Sequence, residues 1–344
     1  MSTLLLLIYI ILIIAGIINK KSHFLFIITF LFAWILIAGN YQNADYGQYV
    51  QRYGWGKDIL VDFGFSFLCQ FFLNFGFEYQ GFKAVVSFIC LLMIFRSINK
   101  LSPYSSFGAA LFLLFPFVID VTQFRNFIAY SIVFYAIPFL FHEGRNNVIK
   151  YVIIVLLASS IHATSLFYLL FVFSKIKLNK YHVITGVIFA FVVKETLKAY
   201  LTIKYETGKL DDMPQSSLAG ALFNVFIICM TVLMIWYACK RNRMHRSICY
   251  VKDLKYRFEY DKTWLMCNML LFMLIPFVMD SGNYERIYRN IAVLNMLFVY
   301  GANLKKQQKT LIIFAYYSYF VIFTYIIGDS ELTFWPTFIY NSFF

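Results

Sequence analysis

The sequence predicts an all-α, polytopic integral membrane protein of about 12 transmembrane helices. Of its 344 residues, 61% are apolar and only 14% charged, against about 25% charged in an average soluble domain. Low-charge runs recur along the whole length, and most approach the roughly 17 to 25 residues that cross a bilayer as a helix. The charges collect between those runs. The net charge of +13 therefore speaks for membrane orientation, and nucleic-acid binding is excluded. No stretch is left for a large aqueous domain, so residues 1–344 are read as one transmembrane domain.

The runs fall at residues 2–18, 24–39, 81–95, 104–119, 126–141, 148–160, 162–174, 183–198, 218–239, 263–279, 290–304 and 310–328. The first lacks the basic flank of a secretory signal and is expected to remain as a helix. Placing Lys20 and Lys21 in the cytoplasm puts both termini outside. It also puts inside Arg96, Lys100, Arg145, Lys150, Lys175, Lys177, Lys180, the basic residues of 240–262, and Lys305, Lys306 and Lys309. That is 20 of the 30 basic residues, while 13 of the 17 acids fall outside, as the positive-inside rule expects. Residues 240–262 are read as a basic cytoplasmic loop. Residues 63–77 are apolar but short, and flanked by Asp62 and Glu78 they read as a re-entrant or interfacial helix on the outer face.

Tyr151 to Ser174 carries no formal charge and could be one helix. A single helix would invert everything downstream and expel the 240–262 segment, so two short helices meeting at Ser159-Ser160-Ile161-His162 are expected. An arm of about 12 residues reaches roughly 18 Å, less than the roughly 30 Å of hydrocarbon, which would recess the turn below the outer surface. The sequence also echoes itself: Pro116-Phe117-Val118-Ile119-Asp120 recurs as Pro276-Phe277-Val278-Met279-Asp280, followed by Phe124-Arg125-Asn126 and Tyr288-Arg289-Asn290. Chance in a Phe- and Ile-rich chain and duplication both remain open.

Four arginines fall outside: Arg52, Arg125, Arg286 and Arg289. A guanidinium binds phosphate oxygens bidentately and stays charged in a poorly hydrated cavity, so the group suggests a phosphate or pyrophosphate ligand. The alternative is pairing with Asp45, Asp120, Asp280 or Glu285, or with lipid headgroups. Arg125 and Arg289, each at a span boundary beside an asparagine, are the two read as functional. Asp45, Tyr49 and Tyr53 recur every four residues and share a helical face. That face could stack and hydrogen-bond a sugar, or be an interfacial aromatic belt. His162 is the one histidine on the outer side, with Ser159, Ser160, Thr164 and Ser165 around it. It could act as a general base or simply support a helix hairpin. The six cysteines show no CxxC pair and no clustered histidine, so neither a disulfide framework nor a metal site is expected.

These pieces together resemble the EpsG-like branch of the Wzy-type polysaccharide polymerases, which includes O-antigen and exopolysaccharide polymerases. The resemblance lies in Asp45…Tyr49…Tyr53, in Asp58-Ile59-Leu60-Val61-Asp62-Phe63-Gly64-Phe65, in Phe124-Arg125-Asn126-Phe127-Ile128-Ala129, in Ile161-His162-Ala163-Thr164-Ser165-Leu166, and in Arg286 and Arg289. The family commonly has Arg-Gln in place of Arg125-Asn126, and His-Lys-Ser or His-x-Ser-Ala in place of His162-Ala163-Thr164-Ser165. The resemblance implies a multispanning lipid-linked-sugar glycosyltransferase of the bacterial cytoplasmic membrane. A growing glycan would pass from undecaprenyl pyrophosphate to a new lipid-linked repeat unit on the outer face. Arg125, Arg286 and Arg289 would hold the pyrophosphate, His162 or Asp45 would take the acceptor proton, and Tyr49, Arg52 and Tyr53 would bind sugar. No cofactor or metal is implied, since an arginine clamp could stand in for a metal. Partners would be the lipid-linked oligosaccharides, membrane lipids, and a chain-length regulator and flippase. A flippase of the same lipid-linked sugar, or a ligase, is the competing reading.

Overall fold

The computed structural model of the protein describes residues 2–55, 63–176, 180–205, 217–244, 254–322 and 330–343. Every regular element among them is helical, and one isolated antiparallel bridge joins Asn40 to Asn341. Four helical segments, Tyr79–Leu101, Ser105–Thr122, Leu218–Arg243 and Tyr260–Asp280, are long and apolar enough to cross a bilayer, and five shorter apolar helices accompany them. The protein is an all-α polytopic membrane protein. It divides into two compact units: Met1–Leu166 with Met296–Gly301 and Lys305–Phe344, and Phe167–Asn295 with Ala302–Leu304.

The first unit opens with α1 (Ser2–Ile18) and α2 (His23–Gly39), the latter capped by the Ser22 hydroxyl, which accepts from Leu25 N at 3.3 Å. The short helices α3 (Tyr46–Trp55) and α4 (Phe63–Asn74) precede α5 (Tyr79–Leu101), whose 23 residues reach about 35 Å. The run expected at 104–119 is interrupted. α6 (Ser105–Phe112) and α7 (Val118–Thr122) are joined across a kink where Phe115 is extended (φ −171°, ψ 129°). Pro116 causes this, because it supplies no amide hydrogen and disfavours a helical residue before it. The Tyr9 hydroxyl of α1 donates to Leu113 O at 2.5 Å beside the kink.

α8 (Phe124–Leu140) is apolar on all sides and accordingly buried on nearly all sides, which makes it the centre of this unit. Phe141–Gly144 turns the chain back into α9 (Arg145–Ile161), with Gly144 at φ 104°, a conformation that favours glycine. α9 ends at His162, whose backbone is extended (φ −148°, ψ 114°), and a 3-10 helix follows over Ala163–Lys175. The break therefore falls where parity places it, but the arms are not short. Seventeen residues of α-helix and thirteen of 3-10 helix each reach about 26 Å. Recess of His162 by short arms does not hold.

The second unit contains α10 (Lys180–Tyr205), α11 (Leu218–Met244), α12 (Leu254–Leu270), α13 (Ile275–Asp280) and α14 (Glu285–Asn290). The segment read as a loop at 240–262 is helical to Met244 and again from Leu254; its centre, with His245 and Cys249, lies outside the described residues. α15 (Ala292–Gly301) leads back to the first unit, which is completed by α16 (Lys306–Ile322) and α17 (Ser330–Ile339). α17 is absent from the twelve expected spans, and residues 323–328 of the last span lie outside the described residues.

Candidate functional site

The antiparallel α8–α9 hairpin places the start of α8 and the end of α9 at the same end of the first unit. Arg125 is the second residue of α8, and His162 follows the last of α9, 9% exposed. α4 crosses α9 here at Gly64. A Cβ on Gly64 would lie 2.9 Å from the Ser160 carbonyl carbon and collide with its hydroxyl. α3 reaches the same place through Tyr49, whose hydroxyl accepts from Arg125 N at 3.4 Å. Amides in the first turn of a helix have no partner within it, so Tyr49 supplies what α8 lacks.

The sequence face of Asp45, Tyr49 and Tyr53 is formed, but its rings are turned into the protein. Tyr49 and Tyr53 are 7% and 4% exposed. Tyr49 packs on Phe65 with ring centroids 6.2 Å apart, and Tyr53 on Tyr79 and Phe82 at 5.7 and 5.0 Å. The Tyr53 hydroxyl donates to Phe77 O at 2.7 Å, and burial, then the neighbouring Cys69, raises its pKa. Asp45, half-buried, immediately precedes α3, its amide donating to Asn43 Oδ1 at 3.0 Å; Arg52, also half-buried, lies in the last turn of α3.

Beside these residues runs an apolar groove of about 570 Å³, walled by Phe67, Val86, Cys90, Ile128, Ile132 and Ile161 among others. Ile132 lies seven residues after Arg125 and so on the same face of α8, while Ile161 adjoins His162. The groove thus runs along the helices that carry both residues. Its walls are almost wholly apolar, so it can hold a long apolar chain.

The late arginines belong to the second unit. Arg289 is 2% exposed, with Nη1 on Glu285 Oε1 at 3.0 Å, and Arg286 Nη2 donates to Asn283 Oδ1 at 3.3 Å. Burial raises the Glu285 carboxyl above its ordinary value, and Arg289 and Arg286 draw it partly back. The two Pro…Asp echoes differ in surroundings: Asp120 is fully buried, whereas Asp280 is half-buried and pairs with Lys194 at 3.5 Å. Pro276 opens α13, while Pro116 interrupts a helix.

The profile of the EpsG family matches residues 23–338 of the chain. The chain belongs to the EpsG family. No curated protein and no solved structure is significantly similar to it. Within the stretch that carries the family resemblance, Asp58–Asp62 lies outside the described residues, and Phe63, Gly64 and Phe65 open α4.

This EpsG-family protein also contains a polar centre that the sequence does not announce. Lys83, on α5, is 1% exposed, and its ammonium donates to Asn40 O at 2.6 Å and Asn40 Oδ1 at 3.3 Å while lying 5.4 Å from the Tyr46 ring. Asn40 Nδ2 donates to Pro336 O at 2.9 Å and Tyr340 O at 3.3 Å, fastening the C-terminal segment. Gln80 Nε2 donates to Ala38 O at 2.5 Å and accepts, through Oε1, from the Tyr46 hydroxyl at 3.1 Å. A lone lysine at the start of an apolar run reads as snorkelling to the interface; Asn40 and Gln80, polar at the facing ends of two neighbouring spans, are the signal that marks it as buried. Among the described residues no three His, Cys, Asp or Glu side chains gather into a metal-binding group.

Proposed function

We propose that the protein is a bacterial surface polysaccharide polymerase, transferring a growing glycan from undecaprenyl pyrophosphate to a new lipid-linked repeat unit on the outer face of the cytoplasmic membrane. Membership of the EpsG family supports the class. The observation that carries the site is the apolar groove lined by α8 and α9, the helices whose neighbouring ends bear Arg125 and His162. A polyprenyl chain would lie in it, with its pyrophosphate at the Arg125 guanidinium. His162, or Asp45, takes the proton of the acceptor hydroxyl. The acceptor oxygen then bonds to the anomeric carbon, and the bond from that carbon to the pyrophosphate oxygen breaks. The departing negative charge meets fixed positive charge, which lowers the barrier. Arg286 and Arg289 are further candidates for pyrophosphate. For Tyr49 and Tyr53, with their rings covered, the sugar-binding role narrows to holding α3, and with it Arg52 and Asp45, against α8.

A deletion strain tests this by gel analysis of its surface polysaccharide and of the lipid-linked pool. A polymerase loss leaves single repeat units outside. Absence of any outward-facing repeat unit would point to a flippase, and normal polymer stranded on the lipid carrier to a ligase.

A further inference from the structure

The first unit has a second cleft, at the opposite end from His162. It measures about 350 Å³ and lies between α1, α6 and α16, with Ile17, Leu111, Leu114, Ile313, Phe314 and Val321 on its walls. Lys20 and Tyr300 stand at its rim. The Lys20 ammonium lies 4.9 Å from the Tyr300 ring centroid and 6.0 Å from that of Phe107. The Lys309 ammonium lies 5.4 Å from the same Tyr300 ring and donates to Tyr300 O at 2.8 Å. Lys21 lies over Tyr104 at 5.4 Å, and Lys306 opens α16. These aromatic rings hold cations without neutralising them.

Two further observations give the cleft a chemistry. Residues 1–44, 79–119 and 286–322, which contain every element around it, include no Asp or Glu. The segments that build the cleft thus bring no carboxylate of their own to its rim, and Lys20 makes no ion pair among the described residues. The Tyr317 hydroxyl, on the cleft wall, is buried without a hydrogen-bond partner among the described residues, and its residue is 3% exposed. An unsatisfied buried hydroxyl is costly in an apolar medium and calls for an oxygen acceptor. The N-terminal dipole of α16 adds positive potential at the rim.

The geometry points to a binding site for one anionic phospholipid of the leaflet on the Lys20 side. An acyl chain fills the cleft, the phosphate sits against Lys20 and Lys309, and the Tyr317 hydroxyl donates to an ester carbonyl. By the charge asymmetry of the chain this is the cytoplasmic leaflet. The site is separate from the groove beside Arg125 and does not depend on the reaction proposed there.

The purified full chain, in neutral detergent, is titrated with dioleoylphosphatidylglycerol, dioleoylphosphatidylcholine or inorganic phosphate, with native mass spectrometry and thermal shift as readouts. Phosphatidylglycerol is expected to bind saturably and raise the melting temperature, and the other two to do neither. The double variant Lys20→Gln/Lys309→Gln is expected to bind it roughly 30-fold more weakly. Tyr317→Phe, which keeps the fold's apolar contacts, weakens binding severalfold, and Ser318→Trp blocks the cleft with both lysines intact. Equal binding of the two lipids, an equal shift from inorganic phosphate, or phosphatidylglycerol affinity unchanged in Tyr317→Phe and Ser318→Trp each overturns the site.

Discussion

Replacing Asn40 by alanine removes the side chain around which three segments of the first unit are tied, and the cost follows from its contacts. Its Nδ2 donates to Gln42 O, Pro336 O and Tyr340 O at 3.0, 2.9 and 3.3 Å; its Oδ1 accepts from Asn43 Nδ2 at 2.7 Å and Lys83 Nζ at 3.3 Å. Neutral bonds contribute about 1 kcal/mol each and a bond to a charged donor about 1.5–3. With geometry weakening the longer ones, Asn40→Ala should destabilise by about 3–5 kcal/mol. Lys83→Met behaves differently. Asn40 O still accepts from Gln80 Nε2 at 3.3 Å and Oδ1 still accepts from Asn43, so no acceptor is orphaned, and a buried charge is relieved. Its expected cost is below about 1.5 kcal/mol. In the Lys83→Met background the charged bond is already gone, so the penalty of Asn40→Ala should fall by about 1.5–3 kcal/mol. Unfolding free energies in mixed micelles, titrated with a denaturing detergent and followed by tryptophan fluorescence, measure all four proteins of the cycle. Equal penalties for the two single variants, or a coupling near zero, would refute the account of this centre.

Arg125→Lys should abolish long glycan chains while the protein still inserts and accumulates, because lysine keeps the charge but lacks the planar fork; surface polysaccharide of normal length would show that bulk charge suffices. His162→Gln, similar in size and able to hydrogen-bond, should lose polymerisation of purified lipid-linked repeat units in vitro. A rate within a few-fold of wild type would transfer the role of base to Asp45. Because the Glu285 carboxyl is raised from its ordinary 4.5, the folded chain retains a proton that the unfolded chain has released. Stability should therefore fall as pH rises from about 4.5 through the folded value, and Glu285→Gln should flatten that part of the melting profile. A single cysteine at Gln307, exposed at the start of α16, in a background lacking the native six should resist an impermeant thiol reagent in intact cells; labelling there would invert the proposed topology.

Apolar runs and their charged punctuation made most of the helices legible in the sequence, because in a membrane each helix closes its own backbone hydrogen bonds and needs little from its neighbours. α17 escaped this logic: Ser330, Glu331 and Pro336 break its apolar run, and it rests on pairing with Asn40 and on the Asn341 bridge. The kink at Pro116 was visible as a proline, but the capture of Leu113 O by Tyr9 is a contact across 104 residues that no local pattern carries. At the candidate site, Arg125 and His162 were found as isolated polar residues at span ends, and their common end follows from the short α8–α9 turn. Tyr49 and Tyr53 were found by their spacing, yet spacing alone gives a shared face without saying whether it meets solvent or Phe65 and Phe82.

The hydrogen bonds around Asn40 also set an order of events during synthesis. Tyr9 precedes the Pro116 kink, so when that kink enters the bilayer its hydroxyl donor is already there. Asn40 and Lys83 are in the opposite position. Two of the carbonyls that receive the Asn40 amide, those of Pro336 and Tyr340, emerge from the ribosome about 300 residues later. Throughout elongation the buried lysine has Asn40 and the Tyr46 ring beside it, and the arrival of α17 completes the hydrogen bonds of Asn40. A chain cut short before residue 330 would carry every candidate site residue and still lack the carbonyls that hold the Asn40 side chain.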